Sequence, residues 1–281
     1  MKQLKGLLLV KRFYFSALLF CLSSPTFAQK AYTVGIVPQF DSRQIHNIWK
    51  PILAELEAKT QKRFELRGAL SIPKFEQEFL SGAFDFAYMN PFHLLIANNQ
   101  QGYQPLIRDY DKLLSGILVV NANNPINSPE QLKNKSIAFP SVNSLGASML
   151  IRYDMLDKFK INIVPKYVLS HTSVYLNVAM GHAVAGGGVQ RTFDSLPVEI
   201  QEKLRVIHHA TKITPHPFVA HPRVPAAFQN QVKSILIAYS RTVKGKKLFA
   251  KVPMKKVGAA NMEDYQQLSS MRLERFYQES Q

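Results

Sequence analysis

The residues with the clearest chemistry lie between Lys135 and Leu150, in the run Lys-Ser-Ile-Ala-Phe-Pro-Ser-Val-Asn-Ser-Leu-Gly-Ala-Ser-Met-Leu. Ser136–Phe139 reads as a short interior strand, and Pro140 ends it. Ser141, Asn143 and Ser144 are helix-capping types. Met149, Leu150, Tyr153 and Leu156 give the helix that follows an apolar side. The start of such a helix offers unpaired N–H groups and the positive end of its dipole. A buried oxyanion must be met by hydrogen-bond donors, because a bare charge is costly to bury. The backbone amides of Ser144 to Ala147, beside the side chains of Asn143 and Ser144, would make such a cradle. Leu145 contributes only its amide, and Gly146 permits close backbone approach. An ordinary capped helix accounts for the same residues equally well.

Further donors stand elsewhere. Tyr88 ends an apolar strand and offers a hydroxyl, or serves as a core aromatic. Asn90, just before Pro91, reads as a helix cap. His171 follows Ser170 at another helix start; it is either a surface residue or a donor whose charge state makes binding depend on pH. His208, His209, His216 and His221 suggest a metal, but adjacent strand residues point to opposite faces, so His208 and His209 would not share one ion. No metal and no cofactor are expected. A serine nucleophile requires a neighbouring base, and Ser144 and His171 could supply the pair. The chain has no Gly-x-Ser-x-Gly elbow and no phosphate-binding P-loop, which argues against an enzyme.

These candidates need a scaffold of alternating strands and helices. Residues 31–37, 63–70 and 84–88 read as strands, with helices beginning at Ser42, Pro73 and Asn90 between and after them. Beyond them come an extended run at 116–121, the strand before the cradle, and strands at 163–169 and 205–209. Gly186, Gly187 and Gly188 mark a bend or a close backbone approach. A helix covers 232–243 and a helical tail 262–276. This alternation predicts an α/β fold with mostly parallel sheets wrapped by helices. Extended segments at 116–121 and 214–222 suggest two lobes and a chain that crosses twice. The expected division is 29–117 for the first part of lobe 1, 118–217 for lobe 2, and 218–281 for the return to lobe 1.

Lys2, Lys5, Lys11 and Arg12 precede the apolar run 13–22, and small residues end at Ala28. That pattern is a cleavable export signal over residues 1–28. The only cysteine, Cys21, lies within it, so the mature chain would have no disulfide and no thiolate chemistry. The formal net charge of +16 favours anionic ligands. The basic residues are scattered, which argues against nucleic acid.

Four stretches together resemble a known family: Val34-Gly35-Ile36-Val37-Pro38 with Trp49, Pro51 and Leu56; Phe84-Asp85-Phe86-Ala87-Tyr88-Met89-Asn90-Pro91; Leu132 to Phe139 with Gly146; and Ser170-His171 with Gly181, Ala183, Ala185 and Gly186. They are similar to the phosphate-, phosphite- and phosphonate-binding proteins of ABC importers, class II periplasmic receptors. The resemblance implies a monomeric two-lobed flytrap in the periplasm that closes on a small phosphorus oxyanion. Its partner would be an ABC permease or, alternatively, a membrane sensor. In that family a Ser-Thr-Ser-Gly turn holds the anion; aligned on Gly146, its polar positions fall on Asn143, Ser144 and Leu145. Tyr88 and His171 match the cleft aromatic and histidine. The family's acidic residue, which can receive a ligand's amino group, falls on Val184. The site implied is therefore Tyr88, Asn90, Asn143, Ser144, Leu145, Gly146 and His171, and an aminophosphonate is disfavoured.

Overall fold

The computed structural model describes residues 30–278, so the proposed signal segment lies outside the described residues. Two sheets form the frame. The first has the order β11-β4-β10-β3-β1-β2, built from β1 (Tyr32–Ile36), β2 (Phe64–Gly68), β3 (Phe86–Tyr88), β4 (Gln104–Asp109), β10 (Phe218–Ala220) and β11 (Val257–Ala259). The second has the order β7-β6-β8-β5-β9, from β5 (Gly116–Asn121), β6 (Ser136–Phe139), β7 (Val164–Tyr167), β8 (Ala185–Val189) and β9 (Leu204–His209).

Each sheet is mixed. β1 pairs parallel with β2 and β3, and β6 with β7 and β8, because helices return the chain to the same edge of the sheet each time. The strands beside each crossing, β10 in the first sheet and β5 in the second, arrive from the other lobe and pair antiparallel with their neighbours. The chain leaves the first sheet after β4 and returns with β10. Between these points Leu114 and Ile213 pair antiparallel, each amide donating to the other's carbonyl at 2.8 and 2.9 Å. The segment 116–121, read from sequence as a link, is instead a fully paired strand inside the second sheet.

Local signals explain most of the helices. Asp41 caps α1 (Ser42–Thr60), its carboxylate accepting from Gln44 N at 2.9 Å, and Ile45, Ile48, Trp49, Ile52, Leu53 and Leu56 form its buried stripe. Ser71 caps α2 (Ile72–Leu80), Asn90 caps α3 (Pro91–Gln101) and Ser170 caps α5 (His171–Ala179), and the short helices α6 (Gln190–Asp194) and α7 (Val198–Gln201) follow β8. Other features differ from the sequence expectation. β4 has no sequence counterpart. Residues 226–251 are two helices, α8 (Ala226–Arg241) and α9 (Val243–Lys251), because Thr242 leaves helical geometry and its hydroxyl accepts from Gly245 N at 2.9 Å. The tail is a series of single turns rather than one helix.

The three glycines at 186–188 do lie at a close approach, but as the middle of the interior strand β8. A Cβ on Gly187 would sit 2.1 Å from the Ala147 carbonyl oxygen and one on Gly188 2.0 Å from the Tyr175 hydroxyl. Absent side chains on this strand let the cradle helix lie directly on the sheet.

Candidate functional site

The helix predicted to hold the cradle begins at Leu145. A π-helical turn, Leu145–Met149, leads into α4 (Leu150–Tyr153), and a second, Asp154–Lys158, ends it. The Ser144 carbonyl accepts from Ser148 N at 2.8 Å and Met149 N at 3.1 Å. The amides of Leu145, Gly146 and Ala147 are thus the first turn, which has no acceptor within the helix. Single π turns of this kind recur at functional sites. Ser144 is buried and its hydroxyl makes no capping bond. Leu145 is buried in the core, so only its backbone is available. Ser148 lies one turn further on, fully buried, and its hydroxyl has no partner.

His171 is the first residue of α5 and is 8% exposed, which removes the surface alternative. Its Nδ1 is buried without a partner. Burial pushes the imidazole down to about 4, so it is neutral at pH 7 and carries one N–H donor. Two more imidazoles share this neighbourhood. His216, between Pro215 and Pro217, is pushed down to about 3 by burial and then by the fields of His93 and His171. Gln39 Nε2 lies 2.6 Å from His216 Nε2, an arrangement in which the amide donates to the ring.

Tyr88 ends β3 opposite Ile36. Its ring packs between Trp49 at 5.2 Å and His216 at 5.4 Å, and burial raises its hydroxyl pKa. The hydroxyl donates to the Val252 carbonyl at 3.2 Å, so in this form Tyr88 supplies a wall rather than a free donor. Asn90 accepts from His93 N at 2.8 Å, as a cap does. Asn143 departs most from expectation. Its Nδ2 donates to Glu76 Oε2 at 2.9 Å and to the Gln278 carbonyl at 2.7 Å, while its Oδ1 accepts from Gln278 N at 3.0 Å. Both amide hydrogens are spent, so Asn143 ties α2 and the C-terminal segment to the cradle instead of donating to an anion. Glu76 is itself fully buried and lies 2.8 Å from His93 Nε2. Val184 sits 36% exposed ahead of β8 and lines none of the cavities described here, so it is not the place where a ligand's amino group would be met.

Two neighbouring cavities open between the lobes. One, of about 490 Å³, is bordered by His171, Ser170, Ile72 and Leu169. The other, of about 320 Å³, is bordered by Tyr88, His216, Ser115 and Arg191. Gln39, Phe40 and Thr192 line both, so the two are contiguous. Arg191 follows β8 and reaches across to the first lobe, donating to the Ala250 carbonyl at 3.1 Å and to the Lys251 carbonyl at the end of α9. Gln39, Arg191 and Glu76 were not anticipated from sequence, and His216 only as a metal ligand. The one available signal for Arg191 was its position just beyond a strand end, where ligands of open α/β sheets gather. Among the described residues no group of three or more His, Cys, Asp or Glu is placed to hold a metal ion. His208 lies instead 2.7 Å from the buried Asp154.

Comparison with known proteins bears on the fold and the family. The model of periplasmic substrate-binding proteins of phosphonate ABC transporters matches residues 34–265. A binding-protein component of an ABC phosphonate transporter from Pseudomonas aeruginosa superposes with a TM-score of 0.78 at 17% identity, covering 88% of each chain. PhnD1 from Prochlorococcus marinus, solved with methylphosphonate, gives 0.77 at 18% identity over 86% of this chain and 97% of that one. The periplasmic aliphatic sulphonate-binding protein of Escherichia coli gives 0.63 at 15% identity, over 87% of each. At such identities the structures establish the two-lobe fold, while the match over residues 34–265 establishes the family. The chain belongs to the periplasmic substrate-binding proteins of phosphonate ABC transporters.

Proposed function

We propose that this receptor captures a small phosphorus oxyanion, a phosphonate, phosphite or phosphate, between its lobes and delivers it to an ABC permease. The amides of Leu145, Gly146 and Ala147, the Ser144 hydroxyl and His171 form the binding set, with Tyr88 and His216 as the facing wall. One observation carries the reading: buried polar atoms without partners stand on both second-lobe helix starts, His171 Nδ1 on the one that borders a cavity and the Ser148 hydroxyl on the cradle helix. Buried polar groups are normally satisfied, so such atoms mark a place where a ligand completes the hydrogen bonding. Neutral imidazole and backbone donors hold an anion without a counter-charge. The solved relative with methylphosphonate supports the ligand class. Delivery from the periplasm follows export, with cleavage after Ala28.

A thermal-shift series tests this with methylphosphonate, phosphite, phosphate and sulfate. A true ligand at about a hundredfold over its Kd stabilises by about 2.7 kcal/mol. No shift with any phosphorus oxyanion overturns the reading. N-terminal sequencing of the exported protein should begin at Gln29; retention of residues 1–28 overturns the processing.

A further inference from the structure

Arg191 stands out among the cavity-lining groups. It is half-buried, and no carboxylate forms a salt bridge with it among the described residues. Two carbonyls, those of Ala250 and Lys251, take its terminal nitrogens, and its Nε is buried without a partner. The acids around the same cavity do not cancel its charge. Asp109, on the buried wall, is occupied by the amides of Lys112 at 3.1 Å and Lys256 at 2.8 Å. Asp194 accepts from Gln190 at 2.8 Å, and both Asp194 and Asp111 are exposed at the rim, where solvent screens them. The other buried carboxylate near the cleft, Glu76, is engaged by His93 and Asn143. The buried acids here are already engaged, whereas the Arg191 guanidinium lines the cavity with no carboxylate partner, which suits a planar anion. Since the two cavities join at Gln39, Phe40 and Thr192, one ligand can reach from His171 to Arg191.

We infer that the receptor takes a phosphonate carrying a second anionic group, such as a carboxylate, with the phosphonate at the cradle and His171 and the second anion at Arg191. The inference rests on the proposed function and narrows its ligand class. Arg191 is then a specificity-determining residue.

Calorimetry on the mature chain with methylphosphonate, phosphonoacetate, 3-phosphonopropionate and 2-aminoethylphosphonate tests it. One or both phosphonocarboxylates should bind about tenfold or more tightly than methylphosphonate, the worth of a charge-assisted contact. In Arg191→Gln that ratio should fall to within twofold, and Arg191→Lys should restore part of it. The ratio separates ligand contact from the lobe-bridging bonds to Ala250 and Lys251, whose loss would weaken all four ligands alike. Methylphosphonate binding without preference for either phosphonocarboxylate overturns the inference alone, as does an unchanged ratio in Arg191→Gln. Failure of every phosphonate to bind overturns the proposed function with it. The wild-type series decides the matter even if the variants do not fold.

Discussion

Gly187→Ala is the sharpest test of how the cradle is held. The new Cβ would fall 2.1 Å from the Ala147 carbonyl oxygen and 2.5 Å from Phe139 Cε1. Non-bonded heavy atoms settle at about 3.5 Å, so the helix start and the sheet must part by an amount on the order of 1 Å. Overpacking of this kind costs about 1–3 kcal/mol. For a chain of this size that lowers Tm by roughly 2–12 °C. The same movement displaces the amides of Leu145, Gly146 and Ala147 from a bound anion. Losing one charge-assisted hydrogen bond weakens binding by about tenfold or more. Circular-dichroism melts and calorimetry with methylphosphonate give the two readouts. Gly68→Ala is the control, since a Cβ there meets nothing within 4 Å. If Gly187→Ala melts within 1 °C of wild type and binds with unchanged affinity, the helix does not rest on β8 as described and its amides are not the anion site.

Three further outcomes are expected. His171 and His216 are held neutral by burial, at about 4 and about 3, against an ordinary value of about 6.5. Below about pH 6.5 the unfolded chain takes up protons that these folded side chains refuse. Stability should therefore fall as pH drops from 6.5 toward 4, by up to about 1.4 kcal/mol per pH unit for each imidazole, and be insensitive to them above pH 7. Urea titrations at pH 5, 6 and 7.5 measure this; an equally steep fall in the His171→Gln, His216→Gln double variant would reassign it. Asn143→Ala removes donors to Glu76 and Gln278 and leaves a buried carboxylate short of a partner, costing about 1–3 kcal/mol in chemical denaturation. An unchanged midpoint would mean that the tie is not made in solution. Tyr88→Phe loses only the 3.2 Å bond to the Val252 carbonyl, about 0.5–1.5 kcal/mol, and should leave anion affinity within threefold; a larger loss of affinity would restore the hydroxyl to the binding set.

The sequence alone determined the elements whose causes are local. Asp41, Asn90 and Ser170 announce helix starts through side chains that reach amides only three residues away. The apolar stripe of α1 and the short apolar runs of β1, β3 and β6 repeat at the periods of the structures they form. The cradle, a strand, a polar turn and a helix start, is continuous in sequence and was legible for that reason. So was the family, through four ordered stretches. Tertiary structure decided the rest. Ala185–Val189 lacks β propensity, and it is a central strand because a helix and an aromatic ring leave room there for nothing larger than glycine. The Asn143 side chain is a donor by type, yet it is spent on Glu76, 67 residues earlier. Arg191 looks like any solvated arginine until α9 is folded against it, where the Ala250 carbonyl is 59 residues away in sequence. Capping and periodicity act between near neighbours and can be read along the chain. Which donor remains free for a ligand depends on what the folded chain brings within about 3 Å of it, and only the packed lobes fix that.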